Sequence, residues 1–370
     1  MAEDLAAVVF DTGGCTTFRA GFAGDDSPRA VFPRICTLGA RNYKDTFIGD
    51  EVATNARIPM TTTHPTSSGI LDSTTNWDDI EKIWHHAYYD RLNIEPRDHA
   101  LLLIDQPDHR PITVGKSARE MVTQIAFETF EVPALCIAYA PVLSMYFVQG
   151  NTGLSIHSCD RHTAVTPVYE GLVVRHGVER GGLAGQDVTK YMQDSMLWDR
   201  GITVDEATAR DIKGKMCYVP LDYEREVRKK GLEKYTLPDG RVVDVGVERI
   251  MGPQGLFEPA VLGSPECSSL LKMVEESLGR CDEAVRAEIL RNVALSGGNF
   301  GFGGMAERVG LELSRDIPPG GKFVVNAPRN PHQAWVGGSI LASLSTFEQM
   351  LVRKEEYDEW GPCLGLRKFL

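Results

Sequence analysis

Ala7-Val8-Val9-Phe10-Asp11-Thr12-Gly13-Gly14-Cys15-Thr16 is an apolar strand that runs into a turn of Gly, Asp and Thr, and a second strand then continues through Phe22. The same plan returns further along. Leu154-Ser155-Ile156 leads into Ser158-Cys159-Asp160-Arg161-His162-Thr163 and on through Tyr169. Turns of this composition expose several backbone N–H groups to a common point. Glycine serves where φ is positive or where an anion approaches the backbone closely. Two ordinary hairpins read the same way. The pattern therefore leaves two meanings open: a pair of plain turns, or two related halves that clamp a phosphate group between their hairpins.

The rest of the chain fits a two-part molecule. Its 370 residues exceed one ordinary core and suggest domains of roughly 150 to 200 residues each. Apolar runs of strand length at 101–104, 135–140 and 323–325 alternate with amphipathic helical segments, which argues for an α/β architecture. The clearest helix starts at Ser117-Ala118-Arg119-Glu120, a capping-box pattern, with Met121, Ile125, Ala126 and Phe130 as its buried stripe. With 42% hydrophobic and 24% charged residues the composition is that of a globular protein, not a disordered one.

Charge and cysteine usage exclude some classes. A net charge of −12 disfavours nucleic acid and anionic membrane surfaces as partners. The basic run from Arg225 to Lys234 is interleaved with Glu226 and Glu233 and reads as a solvated helix face. No apolar run is long enough to insert in a membrane, and the acidic start Met1-Ala2-Glu3-Asp4 lacks the look of a secretory signal, so an intracellular protein is expected. The eight cysteines show no C-x-x-C spacing and no regular interval. Neither zinc nor a disulfide framework is expected from them, and buried free thiols are.

At the level of segments the chain resembles actin and the actin-related proteins over nearly its whole length. The resemblance is carried by Ala20-Gly21-Phe22-Ala23-Gly24-Asp25-Asp26, by TNWDDIEKIWHH at 75–86, TQIAFETF at 123–130, PVYEG at 167–171, LPDG at 237–240, WVGGSILASLSTFEQM at 335–350 and EYDE at 356–359. It implies an actin-like ATPase fold: two ribonuclease-H-like halves, each with a smaller subdomain, around a cleft for Mg-ATP. The family layout implies an outer large subdomain at 1–33, 65–147 and 333–370 with a small one at 34–64. It also implies an inner large subdomain at 148–183 and 266–332 with a small one at 184–265.

Taken residue by residue, the resemblance implies an altered nucleotide site. In the first phosphate loop Asp11 and Gly13 match, and Asp11 is the one matched acidic group of the hydrated metal shell. Gly14 and Cys15 stand where the family has a Ser-Gly pair, one residue is inserted, and Arg19 replaces the phosphate-reaching lysine. The second loop reads His157-Ser158-Cys159-Asp160-Arg161 for the family's Asp-Ser-Gly-Asp-Gly, so His157 replaces a metal-shell aspartate. The water-orienting glutamine aligns with Ala140, and slow or no hydrolysis is expected. On the nucleoside side Gly185, Arg210, Lys213, Gly297 and Gly298 match, Phe302 stands for the adenine-stacking tyrosine, Gly214 for the ribose glutamate and Pro331 for a lysine near the base. Weakened ATP or ADP binding follows.

Assembly contacts differ too. The loop over Cys36 to Tyr43 is shorter than the family's intersubunit loop, and Pro107 to Lys116 is longer than its counterpart. Leu256 to Gly263 resembles the loop between filament strands, its tip Val261-Leu262 either buried or adhesive. Tyr146, Ile340, Leu341, Leu344, Thr346 and Met350 match the apolar groove that receives helices of actin-binding proteins, although the same spacing also suits plain core. The functional expectation is a divergent actin-related cytoskeletal protein, a filament or complex component in cytoplasm or nucleus. A polymerising ATPase like conventional actin is the alternative, and a metabolite kinase of the same superfamily is poorly supported.

Overall fold

The structure, a computed structural model, describes residues 6–12, 16–39, 46–54, 60–63, 65–66, 71, 74–107, 117–229, 231–315 and 323–369. The chain divides into two compact units. One comprises Met1–Asn151, Gly171–Val173 and His332–Leu370, the other Thr152–Glu170 and Val174–Pro331.

The first unit is built on a mixed sheet. Strand β1 (Val8–Asp11) pairs antiparallel with β2 (Thr17–Phe22), which pairs with β3 (Ala30–Pro33). On its other side β1 pairs parallel with β4 (Leu101–Asp105), and β4 with β5 (Ala134–Tyr139). Val352–Arg353 closes that edge. Every residue of β1 is buried, because helices cover both faces of a central strand; that is why its sequence is a continuous apolar run, not an alternating one. The helix Gln333–Ala342 lies close to β1, where the Trp335 indole N–H donates to the Val9 carbonyl at 3.0 Å. The helix Ala140–Phe147 packs against it so closely that a Cβ on Gly337 would fall 2.0 Å from the Leu143 carbonyl oxygen. Small residues at this crossing let two helices share one side of the sheet.

The second unit repeats the plan. Strand β6 (Gly153–Ser158) pairs antiparallel with β7 (Thr163–Tyr169), and β7 with β8 (Glu179–Gly181). On the other side β6 pairs parallel with β9 (Asn292–Ser296), and β9 with β10 (Val324–Asn326). The order β8-β7-β6-β9-β10 is the order β3-β2-β1-β4-β5 again, with the same strand senses. The repetition read from the two hairpins therefore extends to whole sheets, and the expected α/β class holds.

Helix signals were legible to differing degrees. Ser117 caps Ala118–Gln124 as a capping box: the Glu120 N–H donates to Ser117 Oγ and the Ser117 N–H to Glu120 Oε2. Beyond it the helix widens into a π turn at Ile125–Thr129, which carries Phe127 as well as Ile125 and Ala126 into the core and leaves Met121 half-buried. The basic run is helical only over Tyr223–Arg228, where no residue is buried, and its end enters the strand Glu233–Thr236.

Candidate functional site

In the first hairpin, Asp11 ends β1 directly opposite Arg19 of β2. That register brings the Arg19 Nη1 to 3.0 Å from Asp11 Oδ2, both side chains being mostly buried. The Arg19 Nε donates to His332 Nδ1 at 2.9 Å. Burial, and secondarily the Arg19 charge, hold the His332 imidazole below its ordinary range. Thr12 Oγ1 donates to the Ile104 carbonyl at 3.3 Å and ties the turn's entry to β4. Gly13, Gly14 and Cys15, expected to line this loop, lie outside the described residues.

The second hairpin is described in full. Ser158 and Thr163 are register partners, their hydroxyls 2.8 Å apart, and Thr163 Oγ1 donates onward to the Leu183 carbonyl. The Cys159 N–H donates to the His162 carbonyl and closes the turn. Asn299 clamps it from outside, its Nδ2 donating to Ser158 Oγ at 2.8 Å and to the Cys159 carbonyl at 2.7 Å. Gly297 sits against the hairpin at φ +95°, where a Cβ would fall 2.2 Å from the Ser158 carbonyl oxygen. The close approach that requires a glycine here is to the protein's own backbone. Gly298 is exposed with open space around it.

Several predicted residues meet around this turn. The first N–H groups of the helix Gly185–Arg200 point at it: Gly185 donates to the Cys159 carbonyl and Gln186 to the Asp160 carbonyl. Lys213 Nζ donates to the Gly185 carbonyl at 2.8 Å, and burial pulls its ammonium down from the ordinary lysine range. Arg210 grips Asp160 with both terminal nitrogens at 2.8 Å and also holds Glu206. Ser158, Asp160, Gly185, Arg210, Lys213 and Gly297 thus form one connected network. Phe302 does not join it, since its ring is buried in the unit's hydrophobic core.

His157 stands beside Ser296 in the parallel β6–β9 register, its Nδ1 3.0 Å from Ser296 Oγ. Ala140, at the position of the expected glutamine, is buried as the first residue of its helix.

The groove residues divide. Ile340, Leu344 and Met350 are 43%, 49% and 43% exposed, while Leu341 is core at 5%. Thr346 is exposed and Tyr146 half-buried. The tip residues Val261 and Leu262 are half-buried, with Leu262 packed over Gly255. Of the two variant loops, 40–43 and 108–116 lie outside the described residues.

The expectation of free thiols needs correction. Cys136, Cys217 and Cys281 are free and buried, and Cys267 and Cys363 are free, but Cys159 is disulfide-bonded. Interval counting cannot detect a pair that only the fold brings together. The same counting passed over histidines: His157, Cys159 and His162 gather their ligand atoms within 4.8 Å of one another. The C-x-x-H spacing of Cys159 and His162 was the available signal. Asn299 and Ser296 carried no sequence signal beyond lying next to predicted glycines, and His332 carried none.

Against this geometry the comparison with protein families is direct. The family model described as Actin matches residues 2–206 and 201–369, which together span almost the entire chain. The chain belongs to the actin family.

Proposed function

We propose that this chain is a divergent actin-related protein that acts as an assembly component, in a filament or in a complex with other actin-family subunits, and that it hydrolyses ATP slowly or not at all. The observation that carries this reading is His157: where the family pattern has a metal-shell aspartate, an imidazole stands tied to Ser296. Hydrated Mg²⁺ takes oxygen ligands, and neither this imidazole nor the disulfide sulfur of Cys159 supplies one. The hairpin's one carboxylate, Asp160, is held by both terminal nitrogens of Arg210, so the second hairpin does not fit the metal of Mg-ATP as it stands, and no step through it is derived. Ala140 adds to the case, because a buried methyl group cannot orient water.

The cations of the second unit also support weakened nucleotide binding. Arg210 spends its fork on Asp160, and Lys213 spends its ammonium on a backbone carbonyl. A phosphate would have to displace these partners before gaining charge-assisted bonds of its own. Family membership supports assembly in the cytoplasm or nucleus, and the exposed Ile340, Leu344 and Met350 offer a surface for a partner helix. No helix among the described residues is long and apolar enough to cross a membrane.

The test is the nucleotide content of freshly purified protein, released by denaturation and identified by chromatography, beside phosphate release with and without assembly. Substoichiometric nucleotide and no assembly-stimulated release are expected. One nucleotide per chain with release that rises on polymerisation would establish the polymerising ATPase instead.

A further inference from the structure

We propose that reduction of the Cys159 disulfide turns the second hairpin into a binding site for a soft divalent cation, zinc in particular, held by His157, Cys159 and His162. The inference rests on the geometry of one hairpin and does not depend on the nucleotide reading. All three ligand atoms lie within 4.8 Å of one another. The Cys159 sulfur is 3.3 Å from His162 Nδ1, and a tetrahedral zinc with bonds of about 2.3 Å to sulfur and about 2.0 Å to nitrogen sets them about 3.5 Å apart. Ring centroids of His157 and His162 are 5.5 Å apart, so both imidazoles address the same small volume. The Cys159–His162 pair is already at that spacing, and His157 closes on it to complete the set.

The surroundings are those of a prepared site. A metal-binding histidine normally gives its second ring N–H to an oxygen, which fixes the tautomer and orients the ring. Ser296 Oγ stands 3.0 Å from His157 Nδ1 and accepts in that role, which directs Nε2 to the ion. The turn itself is held by the Cys159 N–H to His162 carbonyl bond, by the Ser158–Thr163 hydroxyl pair and by Asn299 on the Cys159 carbonyl. His162 is buried, and the other two ligands are half-buried. Asp160 is engaged by both terminal nitrogens of Arg210, which leaves the fourth position to water. Two imidazoles and a thiolate select zinc over magnesium or calcium.

The sulfur becomes a ligand only after its disulfide opens. With a phosphine reductant, the S–S bond takes two electrons and two protons to give two thiols, while the phosphine takes the oxygen of water. The Cys159 thiol then releases its proton as the thiolate binds the cation. A dithiol reductant reaches the same thiols by exchange and leaves as its own disulfide.

The experiment titrates the full-length protein with Co²⁺ and then Zn²⁺, after phosphine reduction and removal of excess reductant, and compares it with the oxidised protein. Reduced protein is expected to bind one Co²⁺ with a thiolate-to-cobalt charge-transfer band that Zn²⁺ abolishes, and oxidised protein to show no such band. Cys159→Ser and His162→Gln should each abolish the band, and Ser296→Ala should weaken binding about 10- to 100-fold. No band in the reduced protein overturns the proposal, as does a band that persists in Cys159→Ser. Should the variants fold poorly in far-UV circular dichroism, the oxidised wild type remains the control that lacks the Cys159 thiolate, and equal binding in both redox states overturns the proposal.

Discussion

Asp11 and Arg19 face each other across the first hairpin as register partners and form an ion pair of 3.0 Å, with side chains only 10% and 17% exposed. Breaking such a pair from one side leaves a charge with little solvent to replace its partner. Arg19→Met should therefore destabilise the protein by about 3 kcal/mol in denaturant unfolding. The double variant with Asp11→Asn should recover part of that loss, because it removes the carboxylate charge that Arg19 had offset while keeping the shape. Equal losses in the single and double variants would show that the pair's charge is not what matters.

The Arg19 contact also gives the protein a pH response. His332 accepts from Arg19 through Nδ1, and burial holds its pKa below the ordinary 6.5. As pH falls through 6.5 the unfolded chain takes up this proton before the folded one does, so stability drops in the window below 6.5 and is retained above it. His332→Asn keeps an acceptor for Arg19 and removes the proton site. Thermal melts from pH 7 to pH 5 should show a shallower decline for His332→Asn than for wild type; parallel curves would assign the acid sensitivity to other groups.

Gly297 and Gly298 are adjacent but should respond oppositely. A methyl group on Gly297 meets the Ser158 carbonyl at 2.2 Å on a backbone with φ of +95°, whereas one on Gly298 meets nothing within 4 Å. Gly297→Ala is expected to cost about 2 kcal/mol or more, from strain alone of about 1–3 kcal/mol with the clash added. Gly298→Ala should fall within about 0.5 kcal/mol of wild type. Chemical denaturation of the pair checks this directly, and a neutral Gly297→Ala would mean that the Gly297 segment is not held against the hairpin.

These contrasts mark how far the sequence could be read. The first sheet was visible because β1 and β4 are buried along both faces and so are nearly continuous runs of apolar residues, whereas β6 carries only Leu154 and Ile156 among polar residues and was marked by the hairpin it enters. The hairpin residues were visible because turns need a narrow set of residue types. What was not visible depends on register and on distant segments. Nothing local says that Ser296 will stand beside His157, or that Asn299 will reach over to the Cys159 carbonyl. Likewise Phe302 is aromatic in either role, and only the packing places its ring in the core. Cys159 shows the same limit, since nothing in its spacing from the other cysteines marks it as disulfide-bonded.

The groove poses the same question in a form that one pair of substitutions answers. Leu341 and Leu344 lie three residues apart, yet Leu341 is 5% exposed and Leu344 49%. The helix Gln333–Ala342 turns Leu341 inward, and Leu344 follows after the helix has ended. A charge at Leu341 would be buried without a partner, so Leu341→Glu should cost more than about 4 kcal/mol and unfold the first unit at moderate temperature. Leu344→Glu should leave the melting temperature nearly unchanged, within about 0.5 kcal/mol in stability, because its side chain already meets water. If the exposed Ile340, Leu344 and Met350 receive a partner helix, the same Leu344→Glu should abolish co-assembly with an actin-binding amphipathic peptide in a fluorescence anisotropy titration. Unchanged peptide binding by a folded Leu344→Glu protein would remove this surface from the interface.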